Sequence, residues 1–383
     1  MTAWHMLSPE LPPDCGGVGD YAAQVALGLA RAGQGPITVW APASARQWEG
    51  APGVEVQSLP DRFGPLTTRT LATRLDAGAA DARLLVQYVP NVFGRRGANL
   101  SFCRWLRDRR GAGQDVRVMF HEPYLYFRWR PDHLAVAIAQ RAMAVVMLRA
   151  AAQVYVSTST WRRYLAPYGK AARGAIELPI PSAIPCVEDA GAVAARRAEI
   201  GTRGPIVGHF GSYGAHVAPL LARALTTILA HAPTATALCA GDRGDRFVAD
   251  LIRRERSLAG RLHGRGRAAG RDVSIDLQAC DLLLQPYPDG VTTRRTSVMA
   301  GLAHGRPVLT TDGPLTEAVW RSTGAVACVP AGDGQAFAAA ALRLLDDTAE
   351  RAALAARGRA TYLERFDLAH TIAALLAPVH AHV

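Results

Sequence analysis

The sequence predicts an α/β protein built from two doubly wound domains. Three observations support this: a length of 383 residues, short apolar runs that alternate with amphipathic stretches, and a proline-rich break after which the alternation starts again. A chain of this length is too long for one ordinary α/β domain and suits two. Strands that are apolar almost throughout indicate parallel sheets covered by helices on both faces.

In the first half of the chain, apolar runs predict strands and the stretches between them predict helices. The predicted strands are 4–7, 37–40, 84–89, 116–120 and 154–156, and the predicted helices are 21–32, near 99–109 and 133–150. Asp20 precedes the first helix and is an acceptor suited to the N-cap position. The alternation is that of consecutive βαβ units.

The break lies at residues 178–185, which hold three prolines, a density that excludes a helix or a central strand. We therefore predict a first domain over 1–185, a linker over 186–203 and a second domain over 204–365. The second half predicts strands at 205–210, 235–240, 281–285 and 307–310, helices at 217–231 and around 294–304, and helices from 335 onward.

The chain is basic, with 43 Lys and Arg against 32 Asp and Glu and a formal net charge of +11. This excess favours anionic partners such as a diphosphate or an anionic membrane surface. The basic residues are scattered, and the sequence contains no RRM, zinc-finger or helix-turn-helix pattern. Nucleic acid is therefore not expected as a partner.

Six cysteines lie far apart, without a CxxC pair or a Cys/His cluster of metal-ligand spacing. No Asp-x-Asp motif follows a strand, so we expect no metal. The N-terminus lacks the basic region of a secretory signal, and Arg141 and Arg149 interrupt the most apolar stretch. We expect a cytoplasmic protein, with at most weak peripheral contact at the inner face of the membrane.

Ligands bind open parallel sheets beyond the carboxyl ends of the strands, so residues that follow strands are candidate site residues. Gly16, Gly17 and Gly19 lie between the first strand and its helix, where glycine admits close approach and a helix N-terminus favours anions. His121 and Glu122 follow strand 116–120 as a titratable pair. A plain tight turn and a helix-capping pair are the structural alternatives for these two segments.

The second half offers further candidates at strand ends. Gly211, Ser212 and Tyr213 end the strand at 205–210, where backbone amides suit a phosphate. The loop after strand 281–285 supplies amides, hydroxyls and two guanidiniums at the start of a helix, which together suit a diphosphate. Its candidates are Asp289, Gly290, Thr292, Thr293, Arg294 and Arg295. Glu317 follows a later strand and either reaches a ribose or occupies the first turn of a helix.

Three segments resemble, in order and spacing, those of GT-B glycosyltransferases and of glycosyltransferase family 4 in particular. They are the glycine segment at 12–21, the His-Glu segment at 119–124, and the strand, loop and helix from Asp281 to Val308. The resemblance implies two Rossmann-like domains that face a central cleft, an acceptor-side first domain and a nucleotide-sugar-binding second domain. It also implies that a terminal helix over 366–383 packs back on the first domain.

The activity implied by the resemblance is transfer of a hexose from a nucleotide-diphosphate sugar to a carbohydrate or glycoconjugate acceptor. The nucleotide sugar is a co-substrate and no cofactor is expected. His121 is then expected to contact the donor sugar, and Glu122 to hold the acceptor or act as a base. Retention of anomeric configuration is implied by the family.

The sequence departs from the family pattern at two points. Family 4 places an Arg and a Lys just after the first strand of the second domain, where this chain has Ser212, Tyr213 and Gly214. The family also carries two glutamates eight positions apart in the donor loop, and neither register of this loop supplies them. We therefore predict that Arg294 and Arg295 replace the missing clamp; the alternative is a solvated arginine pair.

Other functions remain open. The missing glutamates and clamp favour a non-catalytic nucleotide-sugar-binding protein on the same fold. A nucleotide-sugar epimerase would need more acid–base groups around one sugar carbon than the sequence shows. A Rossmann dehydrogenase is disfavoured because Gly16 to Gly19 does not form GxGxxG.

Overall fold

The computed structural model describes residues 2–12, 16–42, 48, 52–78, 81–94, 97–124, 131–201 and 204–378. The chain divides into two compact units, Met1–Ile180 together with Leu368–Val383, and Pro181–Asp367. Parts of three predicted segments lie outside the described residues, namely 13–15, 202–203 and 379–383. Each unit is built on one parallel sheet, so the predicted α/β fold with two doubly wound sheets is confirmed.

The first unit has a seven-stranded sheet in the order β3-β2-β1-β4-β5-β6-β7. Its strands are β1 (Trp4–Leu7), β2 (Ile37–Ala41), β3 (Val54–Ser58), β4 (Arg83–Tyr88), β5 (Asp115–Phe120), β6 (Gln153–Val156) and β7 (Ile176–Glu177). Its first six helices are α1 (Gly17–Arg31), α2 (Pro65–Asp76), α3 (Leu100–Gly111), α4 (Pro131–Ala150), α5 (Ser159–Leu165) and α6 (Lys170–Arg173). Successive residues of β4 point to opposite faces, so Leu84 and Val86 pack in one core and Leu85 in the other.

The second unit has a six-stranded sheet in the order β10-β9-β8-β11-β12-β13. Its strands are β8 (Ile206–Phe210), β9 (Thr236–Ala240), β10 (Leu262–Arg265), β11 (Leu282–Gln285), β12 (Val308–Asp312) and β13 (Ala327–Pro330). The order of the strands reverses between β8 and β11. A crevice forms beyond the carboxyl ends of strands at such a switch point, and it is where open α/β sheets bind ligands.

Among the described residues, eight α-helices belong to the second unit. They are α7 (Ala190–Ile200), α8 (Ala218–His231), α9 (Gly244–Arg254), α10 (Gly270–Ala279), α11 (Thr296–Ala303), α12 (Ala318–Thr323), α13 (Gly334–Asp346) and α14 (Thr348–Thr361). Helix α8 packs against α13 on one face of the sheet, and α7 packs against α10.

The predicted linker over 186–203 is wrong in one respect, because most of it is helix α7. The side chain of Asp189 caps this helix by accepting from the N–H of Ala192 at 2.9 Å. Arg196 on α7 forms an ion pair with Asp276 of α10, a carboxylate that is only 2% exposed. The segment therefore belongs to the second unit, and the chain changes units at the prolines rather than after them.

The last helix, α15 (Leu368–Leu376), belongs to the first unit and packs against α1. Gly28 of α1 allows this close approach, since a Cβ there would lie 2.6 Å from the terminal methyl of Ile372. Two side chains from the sheet bind the end of α15. Tyr155 donates its hydroxyl to the carbonyl of Ala374 at 3.3 Å, and Arg117 donates to the carbonyl of Leu375.

Helix α4 is the longest helix of the described residues. Its residues His133–Ala150 are long and apolar enough to cross a membrane by length and composition alone. The same helix packs against α3 and buries Met143, Ala144 and Met147 in the core of the first unit. A buried core helix of a folded domain has the same length and composition as a membrane span, so these two properties alone do not identify a span.

Candidate functional site

The carboxyl ends of β8 and β11 and the first turn of α11 line a cavity of about 240 Å³ in the second unit. Its lining residues are His209, Phe210, Gly211, Ser212, Val217, Gln285, Tyr287, Arg294, Arg295, Thr296 and Ser297. Four of these, Gly211, Ser212, Arg294 and Arg295, are residues that the sequence predicts to bind the donor. The cavity is smaller than the roughly 300–1,000 Å³ of a site for a whole drug-sized ligand, so it suits one end of a ligand.

A chain of hydrogen bonds joins α11 to the two strand ends. The Gln285 amide donates to the carbonyl of Phe210 at 3.0 Å, and its oxygen accepts from the Tyr287 hydroxyl at 3.0 Å. That hydroxyl has one hydrogen, so the Ser297 hydroxyl, 2.7 Å away, must donate to Tyr287. Burial raises the pKa of Tyr287, which keeps its hydroxyl protonated. The first turn of α11 is thereby fixed relative to the sheet.

One part of the cavity wall has chemistry suited to an anion. The guanidinium carbon of Arg295 lies 4.2 Å from the centre of the Tyr287 ring, in a cation–π contact. Helix α11 begins at Thr296, so Arg294 and Arg295 precede the helix and Arg295 is its N-cap. The side chain of an arginine carries only donors, so it cannot accept from the first N–H groups of the helix as a capping side chain does. Two half-buried guanidiniums and the N-terminus of α11 therefore combine their positive charge at one place.

His209 forms part of the wall of the same cavity. Its Nδ1 lies 2.7 Å from the carbonyl of Leu284, and a carbonyl only accepts, so Nδ1 carries the hydrogen. Burial lowers the pKa of His209 to about 4, which makes the ring neutral at pH 7. Nε2 then presents a lone pair. This atom is buried and has no hydrogen-bond partner among the described residues.

Glu317, predicted to reach a ribose or to lie at a helix start, is buried at the N-cap of α12. Its two carboxylate oxygens accept from the N–H of Thr293 at 2.5 Å and from the hydroxyl of Thr293 at 3.0 Å. The carboxylate is directed at the turn that precedes Arg294. Neither Glu317 nor Thr293 is among the residues that line the cavity, and their donor-binding role stays a prediction.

Tyr213, predicted to bind the donor, is not among the residues that line this cavity, and its donor-binding role stays a prediction. Its hydroxyl lies within hydrogen-bond distance of the carbonyls of His209 and Ala240, at 3.3 and 3.2 Å. Its ring stacks on Phe247 with the ring centres 4.8 Å apart. Tyr213 instead lines a neighbouring cavity of about 520 Å³ between α8 and α9.

The remaining donor-loop candidates, Asp289, Gly290 and Thr292, are not among the residues that line this cavity, and their donor-binding role stays a prediction. Asp289 is exposed to solvent. Gly290 has a φ of +86°, and a Cβ there would overlap the Thr316 hydroxyl, so only glycine fits. Thr292 is buried, and its carbonyl accepts from the N–H of Arg295 at 3.0 Å. Together these residues set the path by which the loop reaches α11.

In the first unit, the glycine segment is mostly helix. Helix α1 begins at Gly17, so Gly17 and Gly19 lie within it and Gly16 is the N-cap. The expectation that Asp20 is the N-cap is wrong, because Asp20 lies in the first turn. A Cβ on Gly16 would overlap the Glu10 carboxylate, which occupies the place where a helix N-terminus attracts an anion. The donor-binding role of these glycines stays a prediction.

His121 and Glu122 directly follow β5, as predicted. The His121 ring is only 5% exposed; its Nε2 lies 2.8 Å from the Gln87 side-chain oxygen, and it meets the Tyr21 ring edge-on at 5.1 Å. Its carbonyl accepts from the Trp161 indole at 2.8 Å. Glu122 is half-buried. Protein contacts hold the imidazole in place, and a catalytic role for the pair stays a prediction.

Seven residues of the cavity wall were not among the predicted site residues, and three of them, His209, Gln285 and Tyr287, carry the polar groups that organise it. His209 and Gln285 lie within the buried strands β8 and β11, and Tyr287 follows β11. A polar side chain is unusual at such positions, and that was the available signal. In the part of the chain that the structure describes, no three His, Cys, Asp or Glu side chains group in a way that could hold a metal ion.

Comparisons with known proteins agree with this architecture. Residues 204–347 match the sequence model of the family described as glycosyl transferases group 1. HepE from Anabaena, solved with UDP and glucose, has 17% identity and a TM-score of 0.69 over 98% of each chain. Sucrose-phosphate synthase from Thermosynechococcus elongatus has 17% identity and a TM-score of 0.70, covering 98% of this chain and 97% of that one.

WaaG, a glycosyltransferase involved in lipopolysaccharide biosynthesis, has 16% identity and a TM-score of 0.66, covering 98% of this chain and all of the other. No curated protein sequence is significantly similar to this chain. Similarity at this level of identity establishes the fold and leaves the substrate open. The chain therefore has the GT-B fold of two Rossmann-like units, and its second unit carries the sequence pattern of the group 1 glycosyl transferases over residues 204–347.

Proposed function

We propose that this protein is a family 4 type glycosyltransferase that transfers a hexose from a nucleotide-diphosphate sugar to a carbohydrate or glycoconjugate acceptor. The observation that carries the proposal is the cavity at the ends of β8 and β11, where Arg294, Arg295 and the N-terminus of α11 converge. It lies at the switch point of the sheet, the usual ligand site of such folds. HepE, similar over almost the whole chain, is solved with UDP-glucose.

The chemistry follows from the charge that develops on the leaving group. As the bond to the sugar breaks, negative charge accumulates on the diphosphate, and preorganised positive groups stabilise that transition state. Arg294 and Arg295 supply this charge in the place of an Arg/Lys clamp, so transfer proceeds without a divalent metal. The family resemblance adds two further parts to the proposal. The anomeric configuration is retained, and His121 contacts the donor sugar while Glu122 holds the acceptor or acts as a base.

Thermal unfolding in the presence of a panel of nucleotide sugars tests the binding part of this proposal. A ligand at 100 times its Kd stabilises the folded state by about 2.7 kcal/mol, a shift of several degrees. The nucleotide sugars that bind are then incubated with carbohydrate acceptors, and release of nucleoside diphosphate is measured. Anomeric NMR signals of the product report the stereochemistry. A panel without any stabilising nucleotide sugar would contradict the proposal.

A non-catalytic nucleotide-sugar-binding protein is the second candidate. One observation favours it: both oxygens of Glu317, the buried carboxylate nearest to the donor loop, are occupied by Thr293. The same panel separates the two functions. A binding protein would be stabilised by a nucleotide sugar and would release no nucleoside diphosphate with any acceptor.

A further inference from the structure

His209 lines the cavity and carries a hydrogen-bond acceptor, Nε2. The anion-binding groups do not use this acceptor. Because Nδ1–H donates to the carbonyl of Leu284, the ring orientation and its tautomer are both fixed. The lone pair on Nε2 is buried and has no hydrogen-bond partner among the described residues. A buried acceptor without a partner is costly, so such an atom in a ligand cavity points to a donor group on the ligand.

Gly211 keeps the space beside this acceptor open. Its φ of +154° lies outside the range that other residues commonly adopt. A Cβ at this position would lie 3.6 Å from Nε2 of His209 and 3.8 Å from the hydroxyl oxygen of Ser297. Any side chain would therefore occupy the gap between the histidine and the first turn of α11. The backbone at Gly211 leaves room there for a ligand group.

The ligand group that fits is a hydroxyl and not a phosphate oxygen. An ionised phosphate carries only acceptor oxygens, which the lone pair on Nε2 would repel, whereas a hydroxyl has a hydrogen to donate. The phosphate has its own partners in Arg294, Arg295 and the helix N-terminus of the same cavity. The ligand must therefore combine an anionic group with a neighbouring hydroxyl.

We propose that His209 is a specificity-determining residue that accepts a hydrogen bond through Nε2 from a ligand hydroxyl next to the diphosphate. This inference rests on the proposed function, because in a nucleotide-diphosphate sugar such hydroxyls belong either to the ribose or to the transferred sugar. A site built to hydrogen-bond a hydroxyl discriminates against ligands that lack it, since the buried acceptor is then left unpaired. His209 thus selects for hydroxylated phosphates over bare ones.

Two substitutions distinguish the donor role of Nδ1 from the acceptor role of Nε2. In His209→Asn, the side-chain NH₂ can replace Nδ1–H as donor to Leu284 while the acceptor at Nε2 is lost. In His209→Gln, the longer amide can place its oxygen where Nε2 was. Circular dichroism and thermal unfolding verify that both variants fold. The ligands are inorganic pyrophosphate, UDP, UDP-glucose, GDP and GDP-mannose, with Kd measured by calorimetry.

We expect His209→Asn to weaken the hydroxylated ligands by about 3- to 10-fold, the effect of one hydrogen bond, while pyrophosphate changes by less than about twofold. His209→Gln should recover part of the loss. If the variant already binds UDP or GDP more weakly, the hydroxyl that donates to Nε2 belongs to the ribose. If only the nucleotide sugars bind more weakly, the hydroxyl belongs to the transferred sugar. Equal effects on pyrophosphate and on the hydroxylated ligands would overturn the inference.

A measurement on the unmodified protein tests the same role of His209. In protein labelled with ¹⁵N-histidine, the Nε2 resonance of His209 should shift when a hydroxylated ligand binds and stay in place with pyrophosphate. No such shift with a bound nucleotide sugar would also overturn the inference. If pyrophosphate and all the nucleotides fail to bind, the anion site itself is refuted, and the proposed function fails with it. The two failures are therefore distinguishable.

Discussion

The carboxylate of Glu317 accepts hydrogen bonds from both the backbone N–H and the hydroxyl of Thr293, at 2.5 and 3.0 Å. A residue at the start of α12 thus fixes the turn that directly precedes Arg294 and Arg295. Glu317 as a whole is only 5% exposed, so these bonds are shielded from water. Glu317 thereby positions, through the backbone, the two arginines that we propose to bind the diphosphate.

Replacing Glu317 with Ala should lower the free energy of unfolding by about 1.5–3 kcal/mol, because two buried donors of Thr293 lose a charged acceptor. Urea denaturation measures the change, and the same variant should bind pyrophosphate more weakly. Glu364→Ala is the matched control, since the Glu364 side chain is 66% exposed. This substitution should change the free energy of unfolding by less than about 0.5 kcal/mol. Equal effects of the two substitutions would show that Glu317 does not hold the turn.

At least one of Arg294→Ala and Arg295→Ala should weaken binding of the donor diphosphate by about tenfold or more. Charge-assisted hydrogen bonds to a phosphate contribute about 1.5–3 kcal/mol each. Lysine at the same position should recover only part of the lost affinity, because its side chain lacks the planar fork of donors. Arg253→Ala is the control, since that side chain is 73% exposed on α9. If both alanine variants bind UDP as tightly as the parent protein, the pair is solvated and another group holds the diphosphate.

Acidification should destabilise the fold through His209. Burial lowers the pKa of its ring from 6.5 to about 4, so the unfolded chain takes up a proton in a range where the folded protein does not. Stability from this group is complete above about pH 6.5 and is lost as the pH falls towards 4, to a total of roughly 3 kcal/mol. Urea denaturation at several pH values should show a smaller acid-dependent loss for His209→Asn. Parallel pH profiles would contradict the assignment.

If arginine and helix-terminus charge stabilise the leaving diphosphate in place of a metal, as we propose, transfer activity should be unchanged by EDTA. The assay compares nucleoside diphosphate release before and after chelation, with added Mg²⁺ or Mn²⁺ as the reference. Activity that appears only with a divalent cation would show that the diphosphate charge is met differently.

Several elements were predictable because their signals are local. The apolar run at 281–285 gives β11, and the stretch at 217–231 gives α8 almost to the residue. Strand β3 was missed because most of its residues are only partly buried, so it lacks a continuous apolar pattern. Helix α7 was hidden in the predicted linker because its sequence follows directly on the proline-rich stretch and carries few large apolar residues.

The sequence by itself determined the two parallel sheets, the boundary near the prolines, and the arginine pair at the start of α11. Only the tertiary structure decided which polar atoms meet. Leu284 lies 75 residues after His209, and Glu317 lies 24 residues after Thr293. Apolar periodicity and proline act over a few neighbouring residues, so they set elements. Contacts between distant side chains depend on strand order, and it is the pairing of β8 with β11 that creates this cavity.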